Sequence, residues 1–421
     1  MRILHLNTNQ LGGAALCAIR ICKALEQYGT DSRMLIAEGK TMPKGIKGSI
    51  AEKDDSIWFP YRAQKLLKRI FARIPLPVYK EKEKLQYLIQ KLNQNNLYLH
   101  QPLSDYTNIA HHPLVKWADI IHLHWVSDFV DYQSFFKNIK KPIIWTLHDK
   151  YPAVGVQHYC SEFYPIPNNL KRIDSYCRKI KRNGVLKAHN LYLVAISDMM
   201  IGICRESDVL EGFPVTLIHN GVDTDIFHPY DKYDAREELG LIANAKIFLF
   251  SGYSIQDQNK GLYRMIEALE KTESPNKLLV CIGNVPFNSP IPETSFPVIL
   301  TGMINNQEKL AKYYAAADFF IQNSYEETFA QTPLEAMSCG TPVISTPCSG
   351  AKDLIRPFNG VVCNGYDSIS LSEGIMMALA KKYDSYHIRN YILENYDYRI
   401  IAKQYIKLYK SVIKKQNQSD H

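Results

Sequence analysis

E-T-F-A-Q-T-P-L-E-A-M-S-C-G-T-P-V, residues Glu327 to Val343, decides how this chain is read. The segment packs two carboxylates, a helix entrance and a helix stop into a short span. The apolar run Phe319–Gln322 ahead of it reads as a strand. Thr332 is a good N-cap, Pro333 suits the first helical position, and Glu335 stands where it closes a capping box. Gly340 reads as the residue that ends the helix, after which Thr341-Pro342 leads into a strand, Val343–Ser345. A strand, a loop and a helix start together make an anion site, because backbone N–H groups point outward there. Glu327 and Glu335 would repel phosphate, but they suit the hydroxyls of a sugar or ribose lying beside it.

Glu327-x7-Glu335, followed by Ala336-Met337 and by Cys339-Gly340-Thr341-Pro342-Val343, resembles the E-x7-E signature of retaining nucleotide-sugar glycosyltransferases, and more narrowly family 4 of that classification. The family usually has glycine where Ala330 stands. A second segment, Trp145-Thr146-Leu147-His148-Asp149, with His122-Leu123-His124-Trp125 upstream, resembles a subgroup that assembles bacterial capsule, exopolysaccharide and O-antigen. The resemblance implies the α/β fold called GT-B: two Rossmann-like domains facing across a cleft, with the last helix crossing back to the first. It also implies a metal-independent enzyme with no cofactor. Such an enzyme moves a hexosyl unit, with retention, from a nucleoside-diphosphate sugar to a saccharide or a polyprenyl-linked saccharide.

The rest of the chain is compatible with that class. At 421 residues it is too long for one ordinary core. A hydrophobic content of 46% against 22% charged is the balance of a globular protein rather than a disordered one. No apolar run approaches the ~20 residues that span a bilayer, and Met1–Asn7 reads as a short strand and not as a signal peptide. The expected location is therefore the cytoplasm, with the inner face of the plasma membrane as a peripheral site. Nine scattered cysteines do not make a disulfide framework. A net charge of +8 admits anionic lipid or a phosphorylated substrate as a partner without specifying either, and nothing in the pattern calls for nucleic acid.

Short apolar runs alternate with amphipathic helical runs, which argues for parallel sheets in two α/β units. Strands are expected at Ile3–Leu6, Ser32–Ala37, Ile120–His124, Ile143–Leu147, Leu191–Ile196 and Val215–Ile218. The pattern restarts after Pro229, with strands at Lys246–Ser251, Leu278–Ile282 and Val298–Thr301. Turn formers at Asn220–Pro229 mark the boundary. The expected domains are residues 1–228, which take the acceptor, and residues 229–398, which take the donor; residues 399–421 form a closing helix and a tail that frays from Gln416. Asp223-x-Asp225 in this linker has the look of a metal-binding pair, but its turn context favours a structural role.

Sugar transfer needs a stabilised leaving diphosphate and an oriented sugar. Lys260, in Asn259-Lys260-Gly261, follows a strand and Gly252, where ligands of open parallel sheets bind. The resembled family usually adds an arginine just after that strand. None stands here, so either Lys260 works with backbone N–H groups alone or a cation such as Arg264 comes from elsewhere. The family implies Lys260, Gly252 and the helix-start residues Phe329, Ala330 and Gln331 at the diphosphate. It implies Glu335 at the ribose, and Glu327 and His148 at the sugar. Gly12-Gly13 opens the first helix and lacks a full G-x-G-x-x-G, which weakens a nicotinamide site; Gly13 is expected beside the donor. The aromatic loop after Asp149, Tyr151–Cys160, is expected to bind acceptor. Trp58–Ile74 sets a basic face against an apolar one, which suits either contact with anionic lipid or packing on its own domain. Two other functions stay open: a nucleotide-sugar epimerase or dehydrogenase on paired Rossmann domains, and a non-catalytic sugar-nucleotide-binding subunit.

Overall fold

The computed structural model describes residues 1–39, 41–53, 85, 87–93, 99–159, 161–285 and 291–419. The basic stretch Trp58–Ile74 lies outside the described residues, as does Cys160.

The chain forms two parallel-sheet α/β units of the Rossmann kind. One unit comprises Met1–Ala195, Ile201–Thr216 and Tyr409–His421; the other comprises Ile196–Met200 and Leu217–Leu408. The first sheet has seven strands: β1 (Arg2–Asn7), β2 (Asp31–Ile36), β3 (Gly48–Ile50), β4 (Ile120–Leu123), β5 (Ile143–Leu147), β6 (Leu191–Ala195) and β7 (Val215–Leu217), in the order β3-β2-β1-β4-β5-β6-β7. The second has six: β8 (Lys246–Ser254), β9 (Lys277–Asn284), β10 (Val298–Gly302), β11 (Phe319–Gln322), β12 (Val343–Ser345) and β13 (Gly360–Val362), in the order β10-β9-β8-β11-β12-β13.

In both sheets the order of connection reverses once, at β1/β4 and at β8/β11. The loops leaving those neighbouring strands run to opposite faces of the sheet, and a crevice opens at the carboxyl ends where they part. The sequence puts its chemistry at these two points. Gly12, Gly13 and Trp125 follow β1 and β4; Lys260 and Glu327 follow β8 and β11.

Strands sandwiched between layers are covered on both faces, which is why β4, β5 and β11 are buried along their whole length. In the second unit Phe248, Phe250, Leu279, Cys281, Phe319 and Ile344 of the sheet meet Met265, Ile266, Leu371 and Ile375 of the helices in one core. Capping side chains fix where helices start. Asp231 accepts from the N–H groups of Tyr233 and Asp234, Asn306 from Lys309, and Asp367 from Ile369 and Ser370.

The structure differs from the sequence expectation at several places. β3 and β13 were not expected; each is three residues long, too short for a hydrophobic period. β8 continues through Gly252 to Ser254, with its pairing to β9 irregular between Ser251 and Ser254. The last helix runs Tyr398–Ser419, so the tail expected to fray from Gln416 is helical almost to the end. Its residues from Tyr409 onward group with the first unit.

The helix inside the deciding stretch spans Gln331–Ser338, starting earlier than Thr332 would set it. Ala330 is the N-cap and no side chain caps it. Thr332 instead donates to Gln322 Oε1 at 3.3 Å, and Glu335 accepts from the Tyr314 hydroxyl at 3.2 Å, so no capping box forms. Pro333 falls within the first turn, where its missing N–H costs no helical bond. The stop is as expected. Gly340 has φ 81°, Gly340 N–H bonds the Met337 carbonyl at 2.9 Å, and Thr341 N–H reaches back to Ala336 at 3.0 Å. That is the paired closure of a Schellman motif. A Cβ at Gly340 would also lie 2.9 Å from Ser385 Cβ. Gly340→Ala is therefore expected to lower the stability of the second unit by about 1–2 kcal/mol, read as a lower urea midpoint for that unit's transition with the donor-side residues untouched.

Candidate functional site

In the second unit, two loops leave β8 and β11 side by side, and two buried asparagines join them. Asn259 is 1% exposed; its Nδ2 donates to the Glu326 carbonyl and its Oδ1 accepts from Glu326 N–H, both at 2.9 Å. Its own carbonyl accepts from Tyr325 N–H at 3.0 Å. Asn323 Nδ2 donates to the Gly261 carbonyl at 2.7 Å. Gly261 has φ 71° and leads directly into the helix Leu262–Lys271, and a Cβ there would strike the Arg264 guanidinium. Arg264 fills that space, donates to the Asn323 carbonyl at 2.7 Å and lies over the Tyr325 ring at 3.5 Å. The cation expected to supplement Lys260 thus has its fork engaged in bracing the loops.

The braced loops bring Lys260 and Glu327 together. The ammonium donates to Glu327 Oε1, and both side chains remain partly open to solvent, 22% and 16% exposed. The same oxygen accepts from Ser324 Oγ at 3.3 Å and Gln322 Nε2 at 3.4 Å. Gly252 lies against this lysine: a Cβ on it would come within 3.4 Å of Lys260 Cγ. Phe329, Ala330 and Gln331 form the entrance of the helix Gln331–Ser338, whose first N–H groups have no partner within the helix. The Phe329 ring itself is buried, stacked on His219 with centroids 5.0 Å apart, so its contribution is its backbone. Glu335 is 4% exposed and turns one oxygen to Tyr314. Asp223 and Asp225 are occupied elsewhere. Asp223 accepts from the N–H groups of Asp225 and Ile226, and Asp225 pairs with Arg399 at 3.0 Å.

The first unit has its own pocket, about 270 Å³, lined by Asn7, Gly13, Trp125, His148 and Asp149 among others. Gly13 begins the helix Gly13–Gln27, and nothing lies within 4 Å of where its Cβ would stand, which leaves room for a ligand to approach the backbone. Trp125 Nε1 donates to Asp149 Oδ2 at 2.9 Å, and Trp125 N–H to Asn7 Oδ1 at 3.0 Å, so the pocket walls brace one another.

Behind His148 is a feature the sequence reading did not assemble. His5 on β1 pairs with His122 on β4, which pairs with Ile144 on β5. Period two along each strand then places His5, His122, His124, Thr146 and His148 on one face. His5, His122 and His124 are all at most 1% exposed. His122 is fixed between the Tyr409 hydroxyl and Thr146 Oγ1, each at 2.7 Å. Burial pushes the His5 pKa down from the ordinary 6.5 to about 3 and holds His122 and His124 well below the ordinary value. The alternation His-x-His at 122–124 was the available signal, but only the register brings His5 to it.

The aromatic loop divides: Gln157, His158 and Tyr159 are partly exposed, whereas the stretch before them is buried. Tyr151, Ala153 and Val156 are buried, and the fully buried Lys181 donates to the Tyr151 and Val154 carbonyls at 2.5 and 2.7 Å while lying over the Tyr151 ring. Tyr151–Val156 is therefore core and offers no open surface.

Comparison with known proteins adds the following. Residues 231–395 match the family described as "Glycosyl transferases group 1". A D-inositol 3-phosphate glycosyltransferase of Thermobispora bispora is 30% identical over 169 residues, 36% of this chain and 39% of that protein. The chain thus spans about two fifths of the length of the first curated relatives it matches. Among solved structures, a sucrose-phosphate synthase from Thermosynechococcus elongatus superposes with a TM-score of 0.66 at 18% identity, covering 98% of this chain and 99% of that one. Anabaena Alr3699/HepE in complex with UDP-glucose does so with 0.64 at 18% identity, covering 98% and 100%. At such identities the superpositions establish the fold, and they are to proteins of the GT-B kind. Among the described residues no helix is long and apolar enough to cross a membrane.

Two outcomes follow. Asn259→Ala is expected to speed hydrogen exchange at the Glu326 amide while β8 and β11 keep their protection, since each buried group it strands costs about 1–3 kcal/mol. For the histidines, the folded pKa lies below the unfolded one, so their contribution is complete above pH 6.5 and is lost as pH falls toward 3. The melting temperature should drop from pH 7.5 to pH 5.5, and His5→Phe should flatten that drop.

Proposed function

We propose that this protein is a retaining glycosyltransferase that moves a hexosyl unit from a nucleoside-diphosphate sugar to a saccharide or lipid-linked saccharide. The observation that carries this is the meeting of Lys260 and Glu327 at the carboxyl ends of β8 and β11, inside the segment that matches the group 1 glycosyl transferases.

On this reading the second unit binds the donor. Lys260 moves from Glu327 to the diphosphate and, with the N–H groups at Phe329–Gln331, offsets the charge that builds there as the glycosidic bond breaks. Glu335, which accepts from the Tyr314 hydroxyl, is assigned to the ribose diol. Glu327 orients the sugar through its hydroxyls. It is not assigned as a covalent nucleophile: with Lys260 gone to the diphosphate, Gln322 and Ser324 still draw on its Oε1. Retention then proceeds at the front face: the acceptor oxygen bonds to the anomeric carbon, the sugar–phosphate bond breaks, and a departing phosphate oxygen takes the acceptor proton. No metal or cofactor has a part in this scheme. His148 and Gly13 are proposed as saccharide contacts of the first unit's pocket.

The proposed setting is surface polysaccharide assembly at the cytoplasmic face of a membrane, with a polyprenyl-linked acceptor. The basic and apolar residues of Trp58–Ile74 would supply the contact to anionic lipid.

UDP-glucose is the first donor to try, given the ligand in the Anabaena complex. At a hundredfold excess over its Kd, a true donor stabilises by about 2.7 kcal/mol, enough to raise the melting temperature clearly. Across a panel of nucleoside diphosphates and nucleotide sugars, one base is expected to give that shift in wild type and little in Glu335→Ala. Lys260→Ala should lower kcat by about 100- to 1,000-fold. A panel with no stabilising member would refute the proposal. Binding without turnover on any acceptor would instead mark a non-catalytic subunit.

A further inference from the structure

We infer that His5 and His124 are positioning residues: they form an imidazole relay that fixes His148 as the Nδ1–H tautomer, a hydrogen-bond donor at the first unit's pocket. The inference rests on the proposed role of His148 as a saccharide contact, which it deepens by assigning the direction of the bond.

The geometry is a chain of three rings. His5 Nδ1 lies 2.9 Å from His124 Nε2, and His124 Nδ1 lies 3.0 Å from His148 Nε2. The His124 and His148 rings are stacked, with centroids 5.3 Å apart. Burial keeps these imidazoles neutral at ordinary pH, as the lowered values for His5, His124 and His148 indicate. A neutral imidazole has one N–H and one lone pair, so each ring donates on one side and accepts on the other. The whole relay therefore has only two states, one running toward His148 and one away from it.

The far end selects between them. His5 Nε2 is buried and has no hydrogen-bond partner among the described residues. If the relay ran away from His148, that atom would carry a buried N–H with nothing to receive it, which is rare in folded proteins. A buried lone pair left unmatched is the less costly alternative. His5 therefore carries its proton on Nδ1 and donates to His124. His124, accepting at Nε2, carries its own on Nδ1 and donates to His148. His148 accepts at Nε2, and its proton is on Nδ1.

A metal ion held by His5, His122 and His124 is the competing use of this cluster, since their nitrogens lie within 4.8 Å of one another. The bonds to Tyr409, Thr146, His5 and His148 already use both nitrogens of His122 and of His124, and a metal would have to break one on each ring. The relay needs no rearrangement.

The consequence for a ligand is chemical. A His148 that donates through Nδ1 selects an oxygen lone pair, as on a sugar hydroxyl or ring oxygen, and cannot act as a base at Nε2 while the relay stands. His5 and His124 act through it without touching substrate, in the way outer partners of a functional histidine set its tautomer.

The test is long-range 1H–15N correlation on the full chain labelled at histidine, at pH 7.5, with His148→Gln to assign the signals. The expected pattern is Nδ1 protonated and Nε2 bare for His148. Nε2 protonated in wild type would overturn the inference, as would a zinc titration that shifts His5, His122 and His124 together. Kinetics give a second reading. His124→Phe, which cuts the relay, should lower kcat by about 10- to 100-fold with donor KM little changed. His124→Gln can accept from His5 and donate to His148, and should recover most of that loss. Equal losses in the two variants would overturn the inference. The wild-type tautomer decides the matter even if His124→Phe does not fold, and it does so whether or not sugar transfer is observed.

Discussion

The hydrogen bonds of Asn259 and Asn323 are the constraint on which the second unit's site depends. Loops at the ends of parallel strands have no ladder to hold them, and each carries backbone groups that must find partners. Here two buried amides supply those partners across the gap. With the loops fixed, an ammonium and a carboxylate from segments 67 residues apart are held within reach. Each charge offsets part of the cost of burying the other. On the proposed reading, a diphosphate that attracts Lys260 must compete with Glu327 for it.

The first unit solves the same problem differently. Its pocket is built on the ends of β1, β4 and β5, and its polar residues are arranged by strand period rather than by loop bracing. Histidines buried on one sheet face would be a liability if charged. Desolvation keeps them neutral, and neutral rings are what let them bond to one another in series.

Much of this was readable from residue order. The alternation of apolar runs and the Gly340 stop are local, and local chemistry is what a sequence displays. The family resemblance implied that Lys260 and Glu327 serve one site, but their direct ion pair was not anticipated. The failures are equally physical. Thr332 has the chemistry of an N-cap, but a glutamine on the neighbouring strand took its hydroxyl. Glu335 has the spacing of a capping box, but a buried tyrosine took its carboxylate. The loop Tyr151–Val156 has the composition of a binding surface and is buried over Lys181. In each case a long-range partner overrode a local preference, and nothing in the segment itself names that partner. The His5–His124 bond is of the same kind, since 119 residues separate its members.

The bond between His122 and the Tyr409 hydroxyl spans 287 positions. Tyr409 lies beyond the whole of the second unit in chain order, yet it completes the unit that β1 to β7 begin. During synthesis the histidine face of that sheet therefore lacks this partner until the intervening residues have been made. Strict vectorial folding, in which each part settles as it appears, is closed to this sheet.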